Sequence, residues 1–380
     1  MRATFRCLAV FVALVLSVVA FTCLSCARKQ QDPPAKIAAI LPLTGGSAFL
    51  GEFVRNGIDL AVYDINKEGD SIKNTLVVEY ADSKNDPKEG LAAFQKAMLA
   101  DPAVVLVAMS SVAGAIAPIA DERRVPLFAT MVSSKDATEN HPFMFRLFIN
   151  ADIDARLMAT FAAKKGMLRI AVISVNDEMG ASFSSVFQDT LAALGGQVVL
   201  HENFDKSATD FRDVAAKARS TPSDALYLLG YDKNLGQLAR SLREQGVTQP
   251  FLSIATISQE PVMNTAGSAI DNTYFTSVRF DADAPGDELT MQFVNNYLAK
   301  YGKKPTYFSA FAYDAVMLIQ KAIEIGGSSR EQIVASLSSL ENVEGVSGNI
   351  SFGGKRDARF DMVIKKIEQG KVLVEEDAHE

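Results

Sequence analysis

The sequence predicts an α/β fold of two Rossmann-like lobes, each a parallel sheet flanked by helices. Three observations lead there. Short β-rich runs alternate with segments of helical periodicity along most of the 380 residues, the pattern of parallel sheets covered on both faces. The runs outnumber the strands of one comfortable sheet and fall into two similar passes, from Lys36 to about Phe145 and from about Arg169 to Val278. The chain then returns to helices over Glu288–Tyr301 and Tyr307–Gly326 and ends in hairpin-like runs, "GNISF" and "DMVIKKIEQGKVLVE". Each lobe is therefore completed by later chain, with several crossings between them.

The first 25 residues read as a secretion signal. Met1 to Arg6 carries two arginines and no acid, and Leu8 to Phe21 is apolar except for Ser17, a charged head followed by a stretch too short for a comfortable bilayer span. Ser25 directly precedes Cys26, as at a lipoprotein cleavage site, although the position three before Cys26 is Cys23 and Leu24 comes one step late. Acylation of Cys26 is the expectation; an ordinary secretion signal or an uncleaved anchor is the alternative. All three cysteines, Cys7, Cys23 and Cys26, precede residue 27. A mature chain beginning at Cys26 forms no internal disulfide, and stability must come from the core. With 48% hydrophobic residues, a chain of this length can supply two domains. Residues 26–35, with Arg28, Lys29 and Pro33-Pro34, read as a flexible tether.

Beyond the tether, the runs "KIAAIL", "TLVVEYAD", "AVVLVAMS", "VPLFAT", "RIAVISV", "QVVL", "ALYLLG", "PFLSIA" and "TYFTSV" read as strands. Between the first two, Val54, Ile58, Ala61, Val62 and Ile65 mark one helical face. Phe183, Val186, Phe187, Leu191 and Leu194 mark another, closed by Gly195-Gly196 where a left-handed cap is expected. Two open sheets facing each other make a cleft, and such sheets bind ligands outside the carboxyl ends of their strands.

The composition excludes several functions. The formal net charge is −7, and loss of Arg2 and Arg6 with the signal lowers it by two, to −9; without a basic patch, such a chain is a poor nucleic-acid binder. There is no G-x-S-x-G, Walker A sequence, H-E-x-x-H or G-x-G-x-x-G. His141, His201 and His379 lack the spacing of metal ligands or of an acid–base pair. The sequence reads as that of a binding protein, not an enzyme, with neither cofactor nor metal.

Four segments, "AAILPLTGGSAFLGEFVRNGIDLAVYDIN", "VEYADSKNDPKEGLAAFQKAMLADPAVVLVA", "FSAFAYDAVMLIQKAIE" and "EGVSGNISFGGKRDARFDMVIKKIEQGK", resemble the bacterial leucine/isoleucine/valine-binding proteins. The similarity runs in order from about Lys36 to Leu373. It implies the type I periplasmic binding protein fold, with three crossovers joining lobes that close on a small ligand. The implied division is residues 36–147 with 278–338 for the first lobe and 148–277 with 339–376 for the second.

The resemblance also implies a ligand site. Ser110, at the end of "VVLVAMS" and the start of a helix, matches the serine that takes the ligand carboxylate; with Ser111 it is otherwise a plain helix cap. Met131 would offer its carbonyl and Ser133 its hydroxyl, or "SSKDAT" is simply a polar loop. Leu50 would pack on the ligand side chain, while Gly45 and Gly46 allow close backbone approach or merely make a turn. From the second lobe, Met179 would form a soft apolar wall and Tyr231 would stack on or hydrogen-bond to the ligand. The acid that pairs with the ligand ammonium in the family falls at Ala255. A buried ammonium would then need Asp232 or Glu260, or the ligand would lack an α-amine.

The reading is an extracytoplasmic solute-binding lipoprotein, monomeric and membrane-anchored, that binds a branched-chain or other amino acid, or a related carboxylate or amide, and delivers it to an ABC transporter permease. A sensor subunit of a membrane signalling system could use the same jaws. A sugar-responsive repressor shares the lobe design but needs a basic DNA-binding head, which the secretion signal contradicts.

Overall fold

The computed structural model describes residues 35–67, 76–134, 136–360 and 362–378. The signal, Cys26 and His379 lie outside the described residues, as does the tether apart from Ala35, which already pairs with Leu76. Five parallel strands, β1 (Ala35–Leu41), β2 (Leu76–Asp82), β3 (Val104–Ala108), β4 (Leu127–Met131) and β5 (Met144–Arg146), form a sheet of order β2-β1-β3-β4-β5. A second sheet repeats this topology with β6 (Arg169–Val175), β7 (Gln197–Phe204), β8 (Ala225–Leu229), β9 (Phe251–Ile254) and β10 (Thr273–Val278). Antiparallel β13 (Met362–Glu368) and β14 (Lys371–Ala378) extend it beyond β10. Between β10 and β13 in sequence, β11 (Val343–Gly345) and β12 (Gly348–Ile350) form a small hairpin.

Helices α1 (Ala48–Lys67), α2 (Pro87–Ala97) and α3 (Ser110–Glu122) connect the first strands; α4 (Ala151–Lys164) leads into the second sheet. Helices α5 (Glu178–Ala193), α6 (Arg212–Ser220), α7 (Asp232–Glu244) and α8 (Glu260–Ala266) serve that sheet, and α9 (Glu288–Tyr301), α10 (Tyr307–Gly326) and α11 (Arg330–Ser339) follow. The central strands β3, β4, β8 and β9 are buried along their whole length, as expected where helices cover both faces. The face of α1 is buried at Val54, Ile58, Ala61 and Ile65, with Val62 at its edge. In α5 the expected face holds as far as Leu191; Leu194, one residue past the helix, is turned out to solvent, and Gly195 follows at φ +84°.

The chain crosses between the sheets after β5, after β10 and before β13. The segment 339–360, expected with the second lobe, packs on the first instead. Phe352 meets Phe128 and Phe145 edge-on, and the backbone of Arg146 exchanges hydrogen bonds with Arg356 and Ala358. The third crossing therefore comes near residue 360. The Arg146 side chain is 1% exposed. Its guanidinium holds Asp357 with two bonds, of 2.8 and 2.9 Å, and donates to the Ser134 carbonyl at 2.5 Å. The first and third crossings are thereby joined by a bidentate charge pair.

A buried carboxylate fixes the β11–β12 hairpin. Asp314 of α10 accepts the Val346 and Ser347 amides and the Ser347 hydroxyl. A Cβ on Gly345 would lie 2.8 Å from the Asp314 carboxyl carbon, too close for any side chain.

Arg146→Ala, which strands Asp357 and frees the Ser134 carbonyl, is expected to cost about 2–4 kcal/mol, read as a lower urea midpoint at unchanged slope. Gly345→Ala is expected to lower stability by about 1–3 kcal/mol in the same titration, through overpacking against Asp314.

Candidate functional site

The two sheets share a strand order that reverses direction beside their first strands, between β1 and β3 and between β6 and β8. At such a switch point neighbouring loops leave the sheet in opposite directions and open a crevice. Leu50 follows β1, Ser110 follows β3, Asp177 follows β6 and Tyr231 follows β8, and all four line one partly open cavity of about 660 Å³ of atom-free space, including its mouth to solvent.

On the first-lobe side, Met109 turns the chain from β3 into α3 with φ +74° and ψ +127°, a conformation costly for a residue with a side chain. Ser110 is the first residue of α3, not its cap, and no side chain caps the helix. Its amide end is thus open toward the cavity, the positive pole of the helix dipole. The Ser110 hydroxyl oxygen instead accepts the amides of Ser133 and Ser134, at 3.1 and 3.3 Å, leaving its proton to donate. The Met131 carbonyl accepts the Met109 amide at 3.1 Å, so the group expected to meet the ligand is already partly engaged. Leu50, Ser111, Met131 and Ser133 all line the cavity. Gly45, at φ +85°, makes the turn, while Gly46 faces the second lobe: a Cβ there would be 3.5 Å from Asp232.

On the second-lobe side, Asp177 caps α5 by accepting the Gly180 amide at 2.9 Å, and its other oxygen accepts the Tyr231 hydroxyl at 2.6 Å. Burial, and then the Asp177 charge, push the Tyr231 phenol upward, so it stays protonated. Its hydroxyl proton is thereby committed to Asp177. Met179 and Ala255 line the cavity as expected, and Ala255 brings only a methyl group. Asp232 lies outside the lining: at φ +64°, it bonds its neighbour's amide. Glu260, in the first turn of α8, is exposed and also outside the lining. The mouth is bridged where Lys206 donates to the Asn85 carbonyl at 3.3 Å.

The floor comes from chain near the crossings. Phe148 stacks on Tyr307 and Phe308, with ring centres 6.2 and 5.9 Å apart, and Asp154 of α4 lies beside them in the lining. Burial pushes the Asp154 carboxyl up to about 7, against the pull of a hydrogen bond from Thr276. The sequence reading missed Asn85, Phe148, Asp154, Asp177, Tyr307 and Phe308. Asp177 carried a readable signal, an acid at the end of a strand just before a helix; Asp154 looked like an ordinary acid of a first helical turn.

The histidines take other roles. His141 pairs with Asp121 at 2.5 Å, and His201 sits exposed on edge strand β7. Among the described residues no cluster could hold a metal ion, and no helix is long and apolar enough to cross a membrane.

Known proteins share this architecture. The sequence profile of the periplasmic binding protein family matches residues 34–371. The Leu/Ile/Val-binding protein BraC3 of Rhizobium johnstonii is 25% identical over 348 residues, 90% of this chain and 93% of that protein. The leucine-binding protein LivK of Thermotoga maritima superimposes with a TM-score of 0.83 at 28% identity, over 91% of this chain and 99% of that one. A solute-binding protein of Rhodopseudomonas palustris, solved with 3,4-dihydroxybenzoic acid, superimposes with a TM-score of 0.81 at 21% identity, over 91% and 97%. The chain belongs to the periplasmic binding protein family, as a non-catalytic solute-binding protein with the type I fold.

Proposed function

We propose that this extracytoplasmic, ABC-transporter solute-binding protein takes an amino acid, or a related carboxylate or amide, between its lobes and hands it to its permease, held at the membrane by lipid on Cys26. The observation that carries this reading is the uncapped amide end of α3, with the Ser110 and Ser133 hydroxyls beside it, facing an apolar, aromatic-floored cavity. Such an end attracts a carboxylate through its unpaired N–H groups and its dipole. Leu50, Met131, Phe148 and Phe308 then receive an apolar body. The ligands named for the relatives, leucine, isoleucine and valine on one side and a dihydroxybenzoic acid on the other, share this combination of carboxylate and apolar body. Closure excludes water and strengthens each charged contact.

A thermal-shift panel on the full chain in mild detergent, spanning branched and aromatic amino acids, their deaminated acids, benzoates and short amides, tests this. A bound ligand stabilises the folded state by roughly 2.7 kcal/mol at a hundredfold excess over Kd. Ser110→Ala should weaken the best ligand about 10- to 100-fold, the worth of a hydrogen bond to a charged group; because the variant also strands the Ser133 and Ser134 amides, its unliganded melting point falls too, and affinity is read by calorimetry below that transition. Full affinity in that variant would place the carboxylate elsewhere. For the anchor, mass spectrometry of membrane-extracted protein should find a mature N-terminus at acylated Cys26; an unmodified terminus beyond it would exclude the lipid.

A further inference from the structure

The cavity lining holds three carboxylates, Asp154, Asp177 and Glu178, and no lysine, arginine or histidine. An anion alone would enter such a site against repulsion, so the ligand's positive charge needs a place. Two of the three acids are poor candidates. Both oxygens of Asp177 are engaged, by Gly180 and Tyr231, and Glu178 is exposed to water. Asp154 differs on both counts. It is 0% exposed; one oxygen accepts the Thr276 hydroxyl, and the other, Oδ2, is buried without a hydrogen-bond partner among the described residues. A buried carboxylate oxygen left unpaired is expensive.

We infer that Asp154 receives a cationic nitrogen of the ligand through its unpaired Oδ2, so that the charge partner of the ligand sits on the cavity floor and not at the position of Ala255. This rests on the receptor reading above and names the chemistry of that site: an amino carboxylate, its acid end at α3 and its N–H donors at the floor. The surroundings suit an ammonium. The rings of Phe148, Tyr307 and Phe308 line the same floor, and aromatic faces attract cations. The groups that face Asp154 are Thr276 from β10, Tyr227 from β8 and Tyr307 from α10, none of them a base. Tyr227 and Tyr307 are held protonated by burial and then by the Asp154 charge. Among the described residues no cation supplies the missing partner, and the Tyr227 hydroxyl, itself buried and unpaired, is neutral. In the empty site, Asp154 relieves its burial by keeping a proton up to about pH 7; an arriving ammonium displaces that proton.

The test pairs each amine with its deaminated counterpart on the full chain in mild detergent: leucine with 4-methylpentanoate, phenylalanine with 3-phenylpropanoate, and 5-aminopentanoate with pentanoate. At least one amine-bearing probe should raise the melting temperature where its counterpart does not. Asp154→Asn should then weaken that probe at least tenfold by calorimetry. Equal affinity in Asp154→Asn, or shifts with the deaminated acids alone, would overturn the role of Asp154 while leaving the receptor reading intact. No shift with these probes would overturn the role of Asp154, and no shift with them or with the benzoates and amides of the wider panel would overturn both.

A measurement on the unmodified protein avoids dependence on how the variant folds. Because the ammonium requires ionised Asp154, affinity should fall about tenfold per pH unit below pH 7, with a proton released on binding. It should be level from pH 7 to 8.5. A neutral Asp154 donating to a ligand oxygen gives the opposite slope, with affinity falling above pH 7, and that result, or a flat profile, would refute the ammonium assignment.

Discussion

The fold and its cleft depend on one buried guanidinium. Arg146 stands at the end of β5, where the chain first leaves the first sheet. It reaches Asp357, on the segment that approaches the last crossing, and the Ser134 carbonyl, in the loop that lines the cleft. Asn150, the cap of α4, also reaches Asp357, at 3.4 Å. The same cluster therefore fixes two of the three connections between lobes and the loop whose amides bind Ser110. A planar, five-donor fork suits that task, whereas a lysine ammonium would not hold two carboxylate oxygens and a carbonyl in fixed directions. Crossing segments and binding loop therefore share one hydrogen-bonded cluster that reaches Ser110 at the start of α3.

The repeated sheet topology does the rest. Each lobe alone offers a shallow crevice at its switch point, furnished with loop side chains and helix ends. Turning two such crevices toward each other yields one cavity from residues that are far apart in sequence. It also explains the division of labour across the cleft. The first lobe contributes amides and hydroxyls around α3. The second contributes Asp177 and Tyr231, already bonded to each other, so this wall is preorganised before any ligand arrives.

Much of the fold was legible because it is written in short-range pattern. The face of α1, the spans of α9 and α10 and the strand β10 follow from periodicity and from breakers at their ends. What was hidden depends on contacts across the chain. β5 is three residues long, too short to show alternation. Residues 339–360 look like the prelude to a C-terminal hairpin, and only Phe352 against Phe128 and Phe145, with Asp314 holding the turn, assigns them to the first lobe. Within the site, Leu50, Ser110, Ser111, Met131, Ser133, Met179, Tyr231 and Ala255 reach the cavity. Asp232 does not: at positive φ at the helix start, it bonds its neighbour's amide and lies beside Gly46 of the first lobe. Asp154 was unreadable: an acid in the first turn of a helix usually faces water and the dipole, and its burial follows from β10 and α10, more than a hundred residues away.

The charge distribution of the cavity now has a physical logic. One end presents an open helix terminus and hydroxyl donors, the other a carboxylate at the edge of ionisation. Aromatic rings line the floor beside that carboxylate. A ligand bearing a carboxylate alone would satisfy one pole and leave Asp154 holding its proton with a buried oxygen unpaired. A dipolar ligand satisfies both, and its opposite charges cancel at a distance, so closing the lobes over it costs less than closing over an ion. On the Asp154 assignment proposed above, with only a methyl group at Ala255, the negative pole lies on the cavity floor, and the assignment predicts a ligand whose length and orientation span from the end of α3 to that floor.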